Sequence, residues 1–164
     1  MKSVYRIALI VFLVLLLGAC QKQQQPFTEV EKETVKKEVK EQFNQLAAAI
    51  NQKNADAWSR FYSTDEFVSA IAGTDYYAGR SAWVDAITKY FSMRERQHIE
   101  PLDVRIAALA PNLALMTSEE KSEMLFKDGK NIKSKHVYTM IWKKERDVWK
   151  ILHSHESWIE EPVK

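Results

Sequence analysis

At about residue 96 the apolar residues of this chain change period, and that change constrains the fold more than any other feature. Upstream they recur every three or four positions. Val35, Val39, Phe43, Leu46 and Ile50 are spaced 4, 4, 3 and 4, which is one face of a helix. Downstream they alternate, as strands with one buried face do. Leu102–Leu109, Leu113–Phe126, Ile132–Lys143 and Val148–Ile159 read as four strands. Ala110-Pro111-Asn112, Asp128-Gly129 and Lys144-Glu145-Arg146-Asp147 read as the turns between them.

The first half divides into three helices. Thr28 and Glu31 have capping-box spacing, so a long helix should run from there to about Asn51. Its other face carries pairs such as Glu33 and Lys37 and reads as solvated. A short helix from about Asp56 to Tyr62 carries Trp58 and Phe61. Phe67–Ala72 is a short strand, Gly73-Thr74-Asp75 a turn, and Tyr76-Tyr77 extends again. Ser81 caps a third helix through about Met93, with Trp83, Ile87, Tyr90 and Phe91 facing inward. His98 falls in a connection. Helices followed by an antiparallel meander make an α+β domain.

The first residues are an address. Lys2 and Arg6 precede an apolar run of eleven residues, Ile7–Leu17, too short to span a bilayer and suited to a signal-peptide core. Leu17-Gly18-Ala19-Cys20 resembles a bacterial lipobox, so Cys20 is the expected lipidated residue and a palmitate anchor its expected modification. Residues 1–19 are then the signal peptide, 20–28 a lipidated cysteine with a Gln-rich tether, and 29–164 the domain. Gln21, rather than Asp, favours the outer membrane in a two-membrane cell. Lys2 and Arg6 also account for the whole formal charge of +2. The mature chain is neutral, so nucleic acid is not an expected partner. One cysteine allows neither an internal disulfide nor a thiol zinc site. No cofactor is expected.

Hairpin register places side chains. A four-residue turn at 144–147 sets Trp142 opposite Trp149, Met140 opposite Ile151, Tyr138 opposite His153 and His136 opposite His155. Lys135 and Glu156 then pair on the outer face. A two-residue turn at Asp128-Gly129 sets Glu119 opposite Tyr138, Lys121 opposite His136 and Thr117 opposite Met140. One face thus grades from apolar (Leu115, Met140, Trp142, Trp149, Ile151) to polar (Glu119, His136, Tyr138, His153, His155), the profile of a concave pocket.

Three segments carry a family resemblance. They are Asn54-Ala55-Asp56-Ala57-Trp58 with Phe61, Tyr62 and Asp65; Tyr77-Ala78-Gly79-Arg80 opening a helix; and Trp149-Lys150-Ile151-Leu152-His153-Ser154-His155-Glu156-Ser157 in the last strand. In that order they resemble the SnoaL-like members of the nuclear transport factor 2-like superfamily. The resemblance implies a cone, a curved sheet wrapped around helices with a pocket at the open end. It spans ketosteroid isomerase, scytalone dehydratase, polyketide cyclases and non-catalytic members, so it implies a pocket without choosing a chemistry. It also implies that Trp58, Tyr62, Asp65, Tyr77 and Trp83 join His136, Tyr138 and Met140 as ligand-binding residues. Homodimers in this superfamily often use the outer sheet face, where Leu152 and Trp158 are expected.

Three readings of the polar cluster stay open. Glu119 with His153 or His155 could transfer protons, its carboxyl raised by desolvation, as in an isomerase, dehydratase or cyclase. His136, His153 and His155 could hold a metal, a reading with little else behind it. The favoured reading is non-catalytic: hydrogen-bonded His and Tyr side chains beneath a pocket for a small, largely apolar molecule. A filled pocket would leave only a protein-interaction module.

Overall fold

The computed structural model describes residues 26–161. Cys20 and the segment read as a signal peptide lie outside the described residues. The chain forms α1 (Glu29–Asn51), α2 (Ala55–Ser59), β1 (Ser69–Ala72), β2 (Asp75–Tyr77), α3 (Arg80–Met93), β3 (Arg94–Ala110), β4 (Leu113–Phe126), β5 (Asn131–Glu145) and β6 (Val148–Glu160).

Helix α1 starts where its capping box requires. The Glu31 amide donates to Thr28 Oγ1 at 3.2 Å, and the Thr28 amide donates to Glu31 Oε2 at 2.8 Å. Val35, Val39, Phe43 and Leu46 are all buried. On the solvated face the ion pair is Glu33 with Lys36, one turn-position nearer than Lys37. Asn54 caps α2 by accepting from the Ala57 amide at 2.9 Å. That helix ends at Ser59, earlier than its apolar spacing suggests. The reason is that the following backbone is claimed by β6: the Ile151 amide donates to Phe61 O and the Ser63 amide to Ile151 O. Gly79, not Ser81, occupies the N-cap of α3, and no side chain bonds there.

The sheet has six strands in the order β2-β1-β6-β5-β4-β3. All neighbours are antiparallel except β1 and β6, which run parallel. Strand β3 begins directly at the end of α3, so His98 lies within a strand. Register shifts interrupt β3 in three places and β6 in one. Each extra residue bends its strand and adds local twist, which curves the sheet around the helices. The core lies in that concavity, with Phe43, Leu46, Trp58, Trp83, Met116, Met140, Trp142 and Ile151 packed between helices and sheet. At one end Glu38 of α1 ties both last strands down, accepting from Lys144 Nζ at 2.9 Å and Trp149 Nε1 at 2.7 Å. Those two bonds hold its carboxyl below the usual range.

Two turns differ from the expected register. The β5–β6 turn is two residues, Arg146 and Asp147, both at positive φ (48° and 67°). This moves the pairing by two positions, so every face is preserved, and Trp149 and Ile151 point inward as expected. After Ile151, Leu152 is bulged out of the ladder, and Ile141 pairs with His153. From there the faces of β6 exchange. Ser154, Glu156 and Trp158 turn inward, while His153 and His155 turn outward. Glu156 therefore pairs across the strand with Tyr138, not Lys135. The β4–β5 turn shifts the register by one: Leu125 pairs with Asn131, Ser118 with Tyr138 and Glu120 with His136. A one-residue shift reverses faces. Glu119, Lys121, Thr117 and Leu115 consequently lie on the outer face, and Ser118, Glu120, Ser122 and Met116 on the inner one.

Candidate functional site

The inner face of the sheet is apolar at the Glu38 end and polar at the other, and the polar residues connect to one another. Ser118 Oγ donates to Glu120 Oε1 at 2.8 Å. Ser122 Oγ and Ser134 Oγ lie 2.9 Å apart, and both flank His136 Nε2, at 2.6 and 2.8 Å. His136 Nδ1 lies 2.5 Å from Glu156 Oε1. The carboxylate accepts, so Nδ1 carries a proton, and in the neutral ring Nε2 accepts from the serine hydroxyls. The imidazole stacks between the rings of Tyr138 and Trp158, 6.3 and 6.4 Å away.

Burial sets the electrostatics. Glu120 is 2% exposed, and desolvation pushes its carboxyl up to about 7 despite the Ser118 bond. Tyr138 is raised well above the ordinary phenol value, first by burial and then by the Glu156 and Glu120 carboxylates. Tyr62, fully buried with its hydroxyl 3.5 Å from Ser154 Oγ, is pushed up to about 12 by desolvation. Both phenols stay protonated near neutrality, and that of Tyr62 donates to Ser154 Oγ.

Two adjoining cavities open beside this cluster. The deeper, about 50 Å³, has Trp58, Tyr62, Trp83, Tyr138 and Met140 in its walls. The outer, about 180 Å³, is bounded by Ile87, Met124, Phe126 and Trp158 with His136. Ile87, Arg94, Met124, His136 and Glu156 line both, so the two adjoin, and together they make up the cleft at the open end of the cone. A groove of about 440 Å³ along α1 and α2 is larger but shallow, is edged by Gln42, Gln45 and Gln52, and has no convergent polar cluster.

Of the residues named from the sequence, the structure brings Trp58, Tyr62, Trp83, His136, Tyr138 and Met140 to this cleft. Tyr77 packs on Trp83 at 5.1 Å behind the wall. Asp65 is exposed, 4.0 Å from Arg146, away from the cleft. Glu119 is exposed on the outer face, because of the one-residue shift. His153 and His155 lie on that face too, because of the bulge; His153 Nδ1 is 2.9 Å from Ser69 Oγ. The three histidines therefore do not converge, and no group of three metal-ligating residues occurs among the described residues. The expected outer pairing of Leu152 and Trp158 is not made. Leu152 is the bulged residue, and Trp158 stands on the inner face at the mouth, its ring over Gly73.

Sequence reasoning missed Glu120, Glu156 and Arg94. Glu120 had a signal: Met116 and Met124 share its parity on β4 and are apolar enough to mark that face as inward. Glu156 had none without the bulge. Arg94, at the junction of α3 and β3, belongs to neither period.

The SnoaL-like domain family matches residues 39–161, three-quarters of the chain. The chain belongs to this family. The fold of this SnoaL-like chain also recurs in solved structures. A hexachlorocyclohexane dehydrochlorinase of type 3 from Novosphingobium barchaimii superposes with TM-score 0.70 at 9% identity, over 83% of this chain and 94% of that one. A provisionally assigned dehydratase of the NTF2-like family from Streptomyces avermitilis gives 0.70 at 16% identity, over 78% and 98%. An uncharacterised protein with a cystatin-like fold from Caulobacter vibrioides gives 0.66 at 16%, over 76% and 89%. At these identities the likeness is one of fold. No curated protein matches this SnoaL-like chain in sequence.

Proposed function

We propose that this SnoaL-like domain binds a small, largely apolar molecule in the cleft at the open end of the cone, without converting it. The observation that carries this reading is the make-up of the cleft, whose lining is mostly aromatic and aliphatic with a few polar groups, His136, Glu156 and Arg94 among them. The His136 ring supports a binding rather than a catalytic role. Glu156 occupies one nitrogen and two serine hydroxyls flank the other, so neither is free to take a substrate proton. The test is a titration with 2-naphthamide followed by NMR. Shifts should appear at Ile87, Met124 and Trp158, and Ile87→Trp, which fills the cleft, should remove them. No binding by any small aromatic would sink the reading.

The second reading is proton transfer of the isomerase, dehydratase or cyclase type, favoured by the 2.5 Å contact of Glu156 and His136. Dehydrochlorinases and dehydratases share the fold. Here the second Glu156 oxygen would be the base and His136 its positioning partner. Hydrogen–deuterium exchange at the α-carbon of 2-tetralone tests it. Catalysed exchange lost in Glu156→Gln favours conversion over capture.

The same proposal puts the domain outside the cytoplasm on a lipid attached to Cys20. Its support is the sequence alone: the basic n-region, the eleven-residue apolar run, and the small residues before the single cysteine.

A further inference from the structure

The cleft holds one cation without an anionic partner. Arg94 lines both cavities and lies at the junction of α3 and β3, where its backbone is fixed: Lys53 Nζ donates to Arg94 O at 2.9 Å and to Glu95 O at 2.6 Å. The guanidinium sits between two aromatic faces, 5.7 Å from the Tyr90 centroid and 5.8 Å from that of Phe126. Nη1 donates to Gln97 Oε1 at 2.7 Å, and the Gln97 amide in turn donates to Ile50 O at the end of α1. Nε is buried with no acceptor at all. Among the described residues Arg94 makes no ion pair.

The neighbouring carboxylates do not fill that gap. Glu156 lines the cleft but is held by His136 at 2.5 Å. Glu120 lies outside both cavity walls and is bonded to Ser118. Glu160 stands at the rim and is exposed. A partly buried guanidinium left with a neutral amide as its one partner loses hydration without recovering it from an opposite charge. The donors it leaves unused are planar and paired, and they match a carboxylate better than a single-point acceptor. Beside it the wall is apolar, with Ile87, Met124 and Trp158. An apolar cavity of about 150 Å³ takes a benzene ring, so 180 Å³ open at one side takes one or two rings.

We propose that the cleft selects a small aromatic carboxylate, its rings against Ile87, Met124 and Trp158 and its carboxylate on the Arg94 guanidinium. This inference rests on the binding reading above and adds the ligand's charge to it. The test compares two probes of the same shape, 2-naphthoate and 2-naphthamide, by calorimetry and NMR on the wild type and on Arg94→Gln and Arg94→Lys. The carboxylate should bind at least tenfold more tightly than the amide. Arg94→Gln should abolish that preference, and Arg94→Lys should restore part of it. A dispersed NMR spectrum with an unchanged urea midpoint shows that each variant is folded. Added salt should weaken the wild type's carboxylate binding and leave the amide unaffected. Equal affinities in the wild type, or a preference that survives Arg94→Gln, would overturn the role of Arg94 and leave the cleft reading standing. Failure of both probes to bind would overturn both.

Discussion

Glu120 shows how one residue's surroundings become a property of the whole protein. Its carboxyl is raised to about 7 in the fold, against an ordinary 4.5, chiefly by desolvation. Between those values the folded chain binds a proton that the unfolded chain has released. Stability therefore falls as pH rises from about 4.5 to about 7 and is level above that. Glu120→Gln keeps an acceptor for Ser118 and removes the charge. It should be more stable than the wild type at pH 8, by on the order of 3 kcal/mol, with the difference vanishing toward pH 4.5. Urea unfolding midpoints across that range measure it. A pH-independent gap between the two proteins would show that the effect is packing and not ionisation. Gly73 is a second case. At φ 62°, with an added Cβ only 2.7 Å from the Trp158 ring, it has no room for a side chain. Gly73→Ala should cost about 1 kcal/mol in chemical unfolding and move Trp158.

Among the elements, β6 carries the most information per residue. Its first half fills the closed end of the cone through Trp149 and Ile151. Its second half presents Ser154, Glu156 and Trp158 to the cleft, and the bulged Leu152 joins the two. Deleting Leu152 should regularise the ladder without moving a face: His153 then follows Ile151 directly, so Ser154 and Glu156 stay inward and His153 and His155 outward. The deletion should cost a few kcal/mol in urea unfolding, since the Leu152 carbonyl that accepts from the Val68 amide goes with it, against about 1 kcal/mol for Leu152→Ala at its half-buried position. Loss of ligand binding in a deletion variant that still folds would show that the bulge itself shapes the cleft. The same strand marks where the sequence stops being legible. Helical spacing located α1 from Thr28 to Asn51, because a cap and a periodic face are local signals. The inward face of β5, with His136, Tyr138, Met140 and Trp142, was also readable by alternation. What failed was parity across turns. Asp128-Gly129 has the composition of a tight hairpin, yet the loop runs from Phe126 to Lys130, with the Phe126 amide donating to Lys130 O at 2.8 Å. A bulge is set by pairing with a distant strand and carries no local composition signal. The cleft's aromatic floor was therefore legible, and its carboxylates and Arg94 were not.

For the whole molecule, the proposal divides the chain into an anchor and a cleft, which can be tested apart. Metabolic labelling with palmitate should mark the wild type and leave Cys20→Ser unlabelled; a labelled variant would remove the anchor from the account. The cleft supplies its own instrument. The chain has five tryptophans. Trp58, Trp83, Trp142 and Trp149 are at most 3% exposed, whereas Trp158 is 42% exposed at the mouth, the outer edge of its ring in the space a Cβ on Gly73 would need. Collisional quenching by acrylamide should therefore reach one indole in five. A ligand in the cleft should make that fraction inaccessible and shift its emission to the blue, and Trp158→Phe should erase the signal without altering the rest of the spectrum. The glycine that leaves room for an indole edge at the entrance thus makes the native protein an optical sensor of its own occupancy, readable without any added label.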